Sequence, residues 1–324
     1  MNQVMSEVKA VYPGEAISPG VSLGVNPGVN PIVTEANCPP FSLVIPAYNE
    51  QLGILPVLEH LHSILDAAQC EYEIIVVNDG STDDTSKLLR SLPRIRLIEH
   101  RRNLGYGAAL KTGIRNAKHS LIVITDADGT YPNERIPELV AIATQVDMVV
   151  GARIGANVRY SKIRRIPKWF LVHFAQWLTR TKIPDLNSGL RVFRKSTVER
   201  FLNILPDTFS FTTSITVAML MNNYMVHYEP IDYHMRVGKS KIKPIRDTLR
   251  FVQLILRTGV YFAPLRVFMP LALLFFAGFM FTFCQDLFVR EDLTERTLIL
   301  LIASTQIAMF ALLADMIDKR TGKM

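Results

Sequence analysis

The spacing of apolar residues changes character along this chain. From Phe41, short apolar runs stop abruptly at polar turns: FSLVIPAYNE, YEIIVVNDGS, RIRLIEH, LIVITDADG and DMVVGAR. Runs of this length, bounded by turn residues, predict buried strands. Between the first two, Leu52, Leu55, Leu58, Leu61 and Leu65 recur at helical spacing. STDDTSKLLRSL predicts a helix with Ser81 or Thr82 near its cap and acids in its first turn. GYGAALKTGIRNA predicts a helix with small residues on one face. Strands alternating with helices predict an α/β fold with a doubly wound, mostly parallel sheet. Ligands of such sheets bind outside the carboxyl ends of the strands. Pro46–Glu50, Asn78–Ser81 and Asp126–Asp128 all fall there, so three polar clusters converge on one crevice.

Nearer the C-terminus the periodicity vanishes. Val267–Cys284 and Thr297–Ala314 are each 18 residues long, uncharged and apolar on every side. That length suits membrane-spanning helices, whose backbone must bond internally. Lys239, Lys241, Lys243, Arg246, Arg250, Arg257 and Arg266 precede the first segment, and Lys319, Arg320 and Lys323 follow the second. The link holds Arg290 and Arg296 against Asp286, Glu291, Asp292 and Glu295. The positive-inside rule then predicts a two-span membrane protein with its large domain and C-terminus in the cytoplasm. Two further stretches, 163–180 (IRRIPKWFLVHFAQWLTR) and 244–262 (PIRDTLRFVQLILRTGVYF), are basic, aromatic-bearing and amphipathic. They predict helices lying in the headgroup plane, although core helices share the pattern. Residues 1–38, rich in Gly, Pro, Val and Asn, predict a flexible tail. The expected division is a tail over 1–38, a soluble-type domain over 39–243, an interfacial helix over 244–264 and a hairpin over 265–318.

Composition sharpens this only at two points. The chain of 324 residues is 49% hydrophobic and carries a formal net charge of +7. Its basic residues gather around the membrane segments and no nucleic-acid motif appears, so the charge points to anionic lipid and not to nucleic acid. Cys38, Cys70 and Cys284 are odd in number and widely spaced, with no CxxC pair. They predict neither a disulfide framework nor a zinc site, which suits a reducing cytosol. No basic segment followed by an apolar run marks a signal peptide at the N-terminus.

The sharpest chemistry lies in IVITDADGTYP. In an extended segment Asp126 and Asp128 fall on the same side. Such a pair serves as general acid and base, as hard oxygen ligands for a divalent cation shared with a diphosphate, or as a polar turn. Their company narrows the choice. VIPAYNE, VVNDGSTDDT, RNLGYGAALKTGI and DADG, in this order, resemble the family 2 glycosyltransferases of the GT-A fold. GAR (151–153), DLNSGLRVFRKS (185–196) and YHMRVGKSKI (233–242), followed by two spans, look like the polyprenyl-phosphate branch, which includes the dolichol-phosphate mannose synthases. The resemblance covers roughly residues 41 to 314.

The resemblance implies a nucleotide-sugar donor, a polyprenyl phosphate acceptor in a membrane, and Mg2+ or Mn2+; self-association stays open. It implies that Pro46, Tyr48 and Glu50 line the base and ribose, and that Asp79 faces the nucleotide, with Asn78 replacing the usual preceding acid. Asp126 and Asp128 would hold the metal and the diphosphate; Thr130 stands where many relatives carry Gln. Asp185, Ser188, Gly189 and Arg191 match an element beside donor sugar and acceptor, and Arg153 and Arg236 match positions that hold the acceptor phosphate. Asp128, Asp185 and Arg236 would be the catalytic set.

The acceptor chemistry can also be argued without the family. A hydroxyl acceptor needs a base, whereas a phosphate arrives ionised and needs cations to aim it. FSFTTSITVAML offers Thr212, Thr213 and Ser214 where hydroxyl-acceptor relatives carry acids, which fits a phosphate nucleophile and leaves Asp185 an orienting residue or an optional base. A processive synthase would need more spans and a Q-x-x-R-W motif, both missing here. A transferase with another lipid or glycan acceptor, and a catalytically inactive nucleotide-sugar-binding scaffold, remain as rivals.

Overall fold

The computed structural model describes residues 38–154, 162–233, 253, 255–261, 263–290 and 292–321, without the side chains of 162–170, 290 and 318–321. The tail over 1–37 and the basic loop with Arg236 lie outside the described residues.

Seven strands form one sheet in the order β3-β2-β1-β4-β6-β5-β7. The strands are β1 Phe41–Ala47, β2 Tyr72–Asn78, β3 Arg96–Glu99, β4 Leu121–Ile124, β5 Met148–Ala152, β6 Arg191–Arg194 and β7 Val226–Pro230. All neighbours are parallel except at β6, which runs antiparallel to both β4 and β5. The five strands expected from the apolar runs are present; β6 and β7 are additions.

The sheet is covered on both faces. Helices α1 (Ile54–Ala67), α2 (Thr85–Arg90) and α4 (Ile136–Ile142) pack Leu61, Leu89 and Leu139 on one face. Helices α3 (Tyr106–Asn116), α5 (Lys162–Thr179) and α7 (Phe211–Met221) pack Leu110, Leu178 and Phe211 on the other. Short α6 (Lys195–Glu199) follows β6. In α3, Gly113 faces β1 so closely that a Cβ there would meet Val44 Cγ1 at 2.2 Å. The small-residue face of the helix is therefore the face that touches the sheet. Strands buried on both sides are continuously apolar, which is why they read clearly in the sequence.

Several expectations are corrected. Leu52 is 86% exposed and precedes α1, whose buried stripe is Ile54, Val57, Leu58, Leu61 and Leu65. Ser81 and Thr82 do not cap α2, which begins at Thr85; the Asp83 carboxylate accepts from the Thr85 amide instead. Cys38 and Cys70 form a disulfide with Cα atoms 5.3 Å apart. They precede β1 and β2, and parallel pairing of Phe41 with Tyr72 brings the two strand starts side by side. In the stretch 163–180, Leu171, Ala175 and Leu178 are buried in the core while Trp177 is half exposed and stacks on Phe174. The inner face of this helix is thus protein, as for a core helix.

Beyond the sheet, α8 (Pro264–Gln285) and α9 (Glu295–Thr321) form an antiparallel pair joined through a wide helical turn, Asp286–Arg290. Both are long and apolar enough to cross a membrane, and only 11% and 17% of their most apolar windows are buried. Leu274, Phe281, Ile299 and Phe310 stand exposed, a surface that hydrocarbon accommodates and water does not. At the hairpin tip, the buried Asp286 carboxylate accepts from the Thr294 amide, the Thr294 hydroxyl and the Thr297 hydroxyl. Arg266, at the base of α8, donates to the Leu178 carbonyl in the last turn of α5. A cation there satisfies an orphan helix carbonyl and complements the helix dipole, tying the hairpin to the sheet domain.

Candidate active site

Strand order reverses between β1 and β4: β2 and β3 lie to one side, β6, β5 and β7 to the other. That reversal opens the crevice where a doubly wound sheet takes its ligand. The segments after β1 and β2 are latched together across it. Asn49, in the left-handed region at φ 54°, donates its amide to Ser81 Oγ at 3.0 Å. Its side-chain oxygen accepts from the Thr82 amide at 2.8 Å. Glu50 donates its amide to Thr85 Oγ1 at 3.0 Å. Tyr48 and Glu50 are partly buried at this rim, and Pro46 lies in β1 opposite Val77.

Asp79 sits beneath the rim and is only 3% exposed. Its Oδ1 pairs with His100 Nδ1 at 2.7 Å and accepts from the Leu104 amide at 2.9 Å; its Oδ2 accepts from the Gly105 amide at 2.8 Å. The far side of the His100 ring meets Thr112 Oγ1 at 2.9 Å. Asp79 therefore shapes the 100–105 turn.

Asp126 and Asp128 stand at the end of β4. Asp128 Oδ1 accepts from the Thr130 hydroxyl at 2.7 Å and from the Thr130 amide at 3.2 Å. Thr130 is fully buried, so it orients Asp128 from behind. Asp126 Oδ1 accepts from the Tyr106 hydroxyl at 3.0 Å. On the other side Asp126 meets Gly189: a Cβ there would lie 2.9 Å from Asp126 Oδ2 and 3.1 Å from the Tyr131 hydroxyl. The Tyr131 hydroxyl accepts from the Gly189 amide at 2.5 Å. Burial raises the Tyr131 phenol above its ordinary value, so it stays protonated. Gly189 thus joins the D-x-D segment to the D-x-x-S-G-x-R segment, which lie 63 residues apart (189 − 126).

Asp185, 1% exposed, is forked by Arg153: Nε to Oδ2 at 2.7 Å and Nη2 to Oδ1 at 3.0 Å. The Arg153 and Asn187 amides each donate to the same carboxylate at 3.1 Å. The Arg153 guanidinium also lies 5.2 Å from the centre of the Tyr233 ring, whose edge contacts Tyr131. Two of the residues expected near the acceptor are therefore bonded to each other.

Arg191 and Ser188 do not face the crevice, contrary to the expectation that they meet the acceptor. Both are 0% exposed. Arg191 donates Nε to the Ser188 carbonyl at 2.7 Å, Nη2 to the Leu186 carbonyl at 2.9 Å and Nη1 to Thr216 Oγ1 at 2.5 Å. It braces the loop from below, and burial lowers its affinity for a proton. Thr212, Thr213 and Ser214 are buried at the start of α7, where Thr213 donates to Asn187 Oδ1 at 2.5 Å. Tyr106, Tyr131 and Asn49 escaped the sequence reading. The only signal for Tyr106 was its place between two glycines in LGYGAAL, a mark of close backbone approach.

The site suits a hard divalent cation. Two carboxylates follow one strand, one is aimed by a buried hydroxyl, and Gly189 packs so closely against the other that a Cβ there would meet its oxygens.

Comparison with known proteins matches two parts of the chain. The Glycosyl transferase family 2 model matches residues 42–202, and the GtrB C-terminal hairpin model matches residues 263–319. The undecaprenyl-phosphate 4-deoxy-4-formamido-L-arabinose transferase of Pseudomonas savastanoi pv. phaseolicola (strain 1448A / Race 6) is 30% identical over 213 residues, 63% of this chain and 61% of that protein. The match thus spans about three fifths of that relative. The dodecaprenyl-phosphate galacturonate synthase of Rhizobium johnstonii (strain DSM 114642 / LMG 32736 / 3841) is 26% identical over 86% of this chain and 87% of its own. Among solved structures, glucosyl-3-phosphoglycerate synthase from Mycobacterium tuberculosis, in complex with Mn2+, UDP and glucosyl-3-phosphoglycerate, superposes with a TM-score of 0.50 at 18% identity, over 68% of this chain and 79% of that one. That likeness places the sheet domain in the GT-A fold.

Proposed function

We propose that this chain, whose residues 42–202 belong to glycosyl transferase family 2 and whose residues 263–319 form a GtrB C-terminal hairpin, moves a hexose-type sugar from a nucleotide sugar to a polyprenyl phosphate held in a membrane. The observation that carries this reading is Asp126 against Gly189, which sets a candidate metal pair beside the Asp185–Arg153 fork, in a domain tied to an apolar hairpin. Relatives whose names specify undecaprenyl and dodecaprenyl phosphate support the acceptor class.

In this reading the donor lies over the rim formed by Pro46, Tyr48 and Glu50, against the 100–105 turn that Asp79 fixes. Asp126 and Asp128 would hold Mg2+ or Mn2+, which would supply positive charge beside the diphosphate. The acceptor phosphate arrives ionised and needs aiming more than deprotonation. Arg153, pre-oriented by Asp185, and Arg236 supply the cations. Asp185 already accepts from a guanidinium and two amides, so it serves geometry and not proton removal. The basic flanks support a cytoplasmic sheet domain and C-terminus.

The test uses the full chain in lipid vesicles containing a short polyprenyl phosphate, with radiolabelled nucleotide sugars and Mn2+. Label should pass into the lipid extract, and Arg236→Ala should weaken use of the lipid about ten- to a hundredfold while sparing the donor. Tight nucleotide-sugar binding without transfer to any vesicle would refute the enzyme reading. An Arg236→Ala effect confined to the donor would move the basic loop to the diphosphate. Orientation is checked separately by thiol labelling of cysteines introduced at Asp292 and Lys319: opposite sides support the hairpin, and cytoplasmic labelling at Asp292 contradicts it.

A further inference from the structure

We infer that Tyr106 is a positioning residue for the metal-holding pair: its hydroxyl fixes the rotation of the Asp126 carboxylate, and its stack on Phe209 fixes the hydroxyl. This rests on the function proposed above. A carboxylate turns about a broad, roughly two-fold torsion, so an aspartate at a strand end has no intrinsic reason to present one oxygen in one direction. Here Asp126 is bounded on two sides. Tyr106 donates to Oδ1 at 3.0 Å, and Gly189 closes the opposite side, leaving room for the carboxylate and nothing larger.

The ring is itself anchored by covalently distant parts of the chain. Gly105, at φ 109°, and Gly107 flank it, and a Cβ on either would fall 2.3 Å from the Asp207 carbonyl or 2.2 Å from the Pro206 carbonyl. Lys111 donates to the Leu205 carbonyl at 2.5 Å and to Asp207 Oδ1 at 2.7 Å, one turn further along α3. Phe209, which follows this segment, lies 5.2 Å from the Tyr106 ring with planes 20° apart. The Gly105 amide is fastened to Asp79. Tyr106 is therefore held from the sheet through Asp79 and from the 205–209 segment through Phe209, and it passes that rigidity to Asp126. Groups that orient a metal ligand commonly change metal affinity ten- to a hundredfold when removed.

Tyr106→Phe deletes the hydroxyl and keeps the stack. The experiment titrates Mn2+ into the full-length protein in detergent, with UDP or GDP in separate arms, and reads bound Mn2+ by electron paramagnetic resonance. Tyr106→Phe should raise the Mn2+ dissociation constant about tenfold with an unchanged thermal midpoint. In the transfer assay, excess Mn2+ should restore most of the rate, and the constant for the lipid acceptor should not move. Phe209→Leu, which loosens the ring but keeps the hydroxyl, should raise the dissociation constant by about twofold. Equal Mn2+ affinity in wild type and Tyr106→Phe would overturn the assignment, as would a rate loss that excess Mn2+ fails to repair. A wild-type protein that binds Mn2+ with neither nucleotide would instead overturn the proposed function on which the assignment rests.

Discussion

Asp185 and Asp66 are each gripped by both prongs of an arginine, at opposite ends of the same sheet. At the carboxyl end, Arg153 and Asp185 side chains are 14% and 2% exposed. At the amino end, Arg94 and Asp66 side chains are 55% and 48% exposed, with bonds of 2.9 and 2.8 Å. Both pairs are bidentate, side-on through Nε and Nη2 in Arg153 and end-on through both Nη atoms in Arg94, but the larger difference is in the surroundings. Water screens the outer pair and substitutes for either partner when one is lost, so it adds little stability. The inner pair is shielded from water, so losing one partner of it costs more. The amino end is held instead by the covalent Cys38–Cys70 link. Identical recognition chemistry thus serves a locked site at one end and a replaceable surface contact at the other.

Breaking the chemistry of the carboxyl end outright should have the largest effect. Asp128→Asn removes a hard anionic ligand while Thr130 can still bond the amide oxygen, so transfer should fall to background with an unchanged melting curve. Retained activity in the purified variant, or in excess EDTA, would contradict it. Next comes the inner pair. Asp185→Ala leaves Arg153 without its carboxylate and should destabilise the domain by about 3–5 kcal/mol, a fall of roughly 10 °C in thermal unfolding. Arg94→Ala is the matched control, and an equal loss in both would erase the distinction between the two ends.

The disulfide comes third. Closing a loop across a separation of 32 residues is worth about 4 kcal/mol in the chain-entropy account, so Cys38→Ser should lower the melting point by several degrees and leave transfer unchanged. If the domain faces the cytoplasm, the pair stays reduced in cells, and thiol trapping before lysis should recover it as free cysteines. The smallest effect belongs to Asp66→Asn. Bonding to Arg94 and then to Tyr72 lowers the Asp66 carboxyl to about 2. A depressed acid contributes stability above its unfolded value of about 3.9, and that contribution fades as pH drops toward 2. The difference between variant and parent should therefore be small at pH 7, smaller in 1 M salt, and gone near pH 2; a gap that persists at that pH would point to another cause.

The strands buried on both faces were legible because burial leaves continuous apolar runs. Strand β6 was not, since RVFR opens with an arginine that is itself buried and closes with one that is exposed. The D-x-D pair drew notice through the motifs around it, although the extended segment assumed for it ends at Ile124 and residues 127–128 turn. The direction of Arg191 could not be read: its motif position beside Gly189 suggested a ligand, while the antiparallel entry into β6 turns its guanidinium under the loop. Asp79 misled in the same way, because counting acids near a strand end does not reveal which backbone amides will claim them. The disulfide was missed because sequence separation is a poor guide where parallel strands align their starting points. Cys38 and Cys70 are distant along the chain and neighbours across the sheet.

The capped Asp286 at the hairpin tip bears on how the protein reaches its membrane. In the proposed two-span topology both hairpin ends lie on one side and the tip is carried through hydrocarbon. A bare carboxylate makes that passage at a cost of about 2.5–3.5 kcal/mol on translocation scales. Asp286 brings its own donors from Thr294 and Thr297, seated where the two helices meet, so much of its hydration can be shed before entry if the hairpin forms early. Arg290, Asp292, Glu295 and Arg296 regain water on the far side, where they resist retreat. The tip then works as a one-way barb, with a charge that is masked for insertion set beside charges that are exposed for retention.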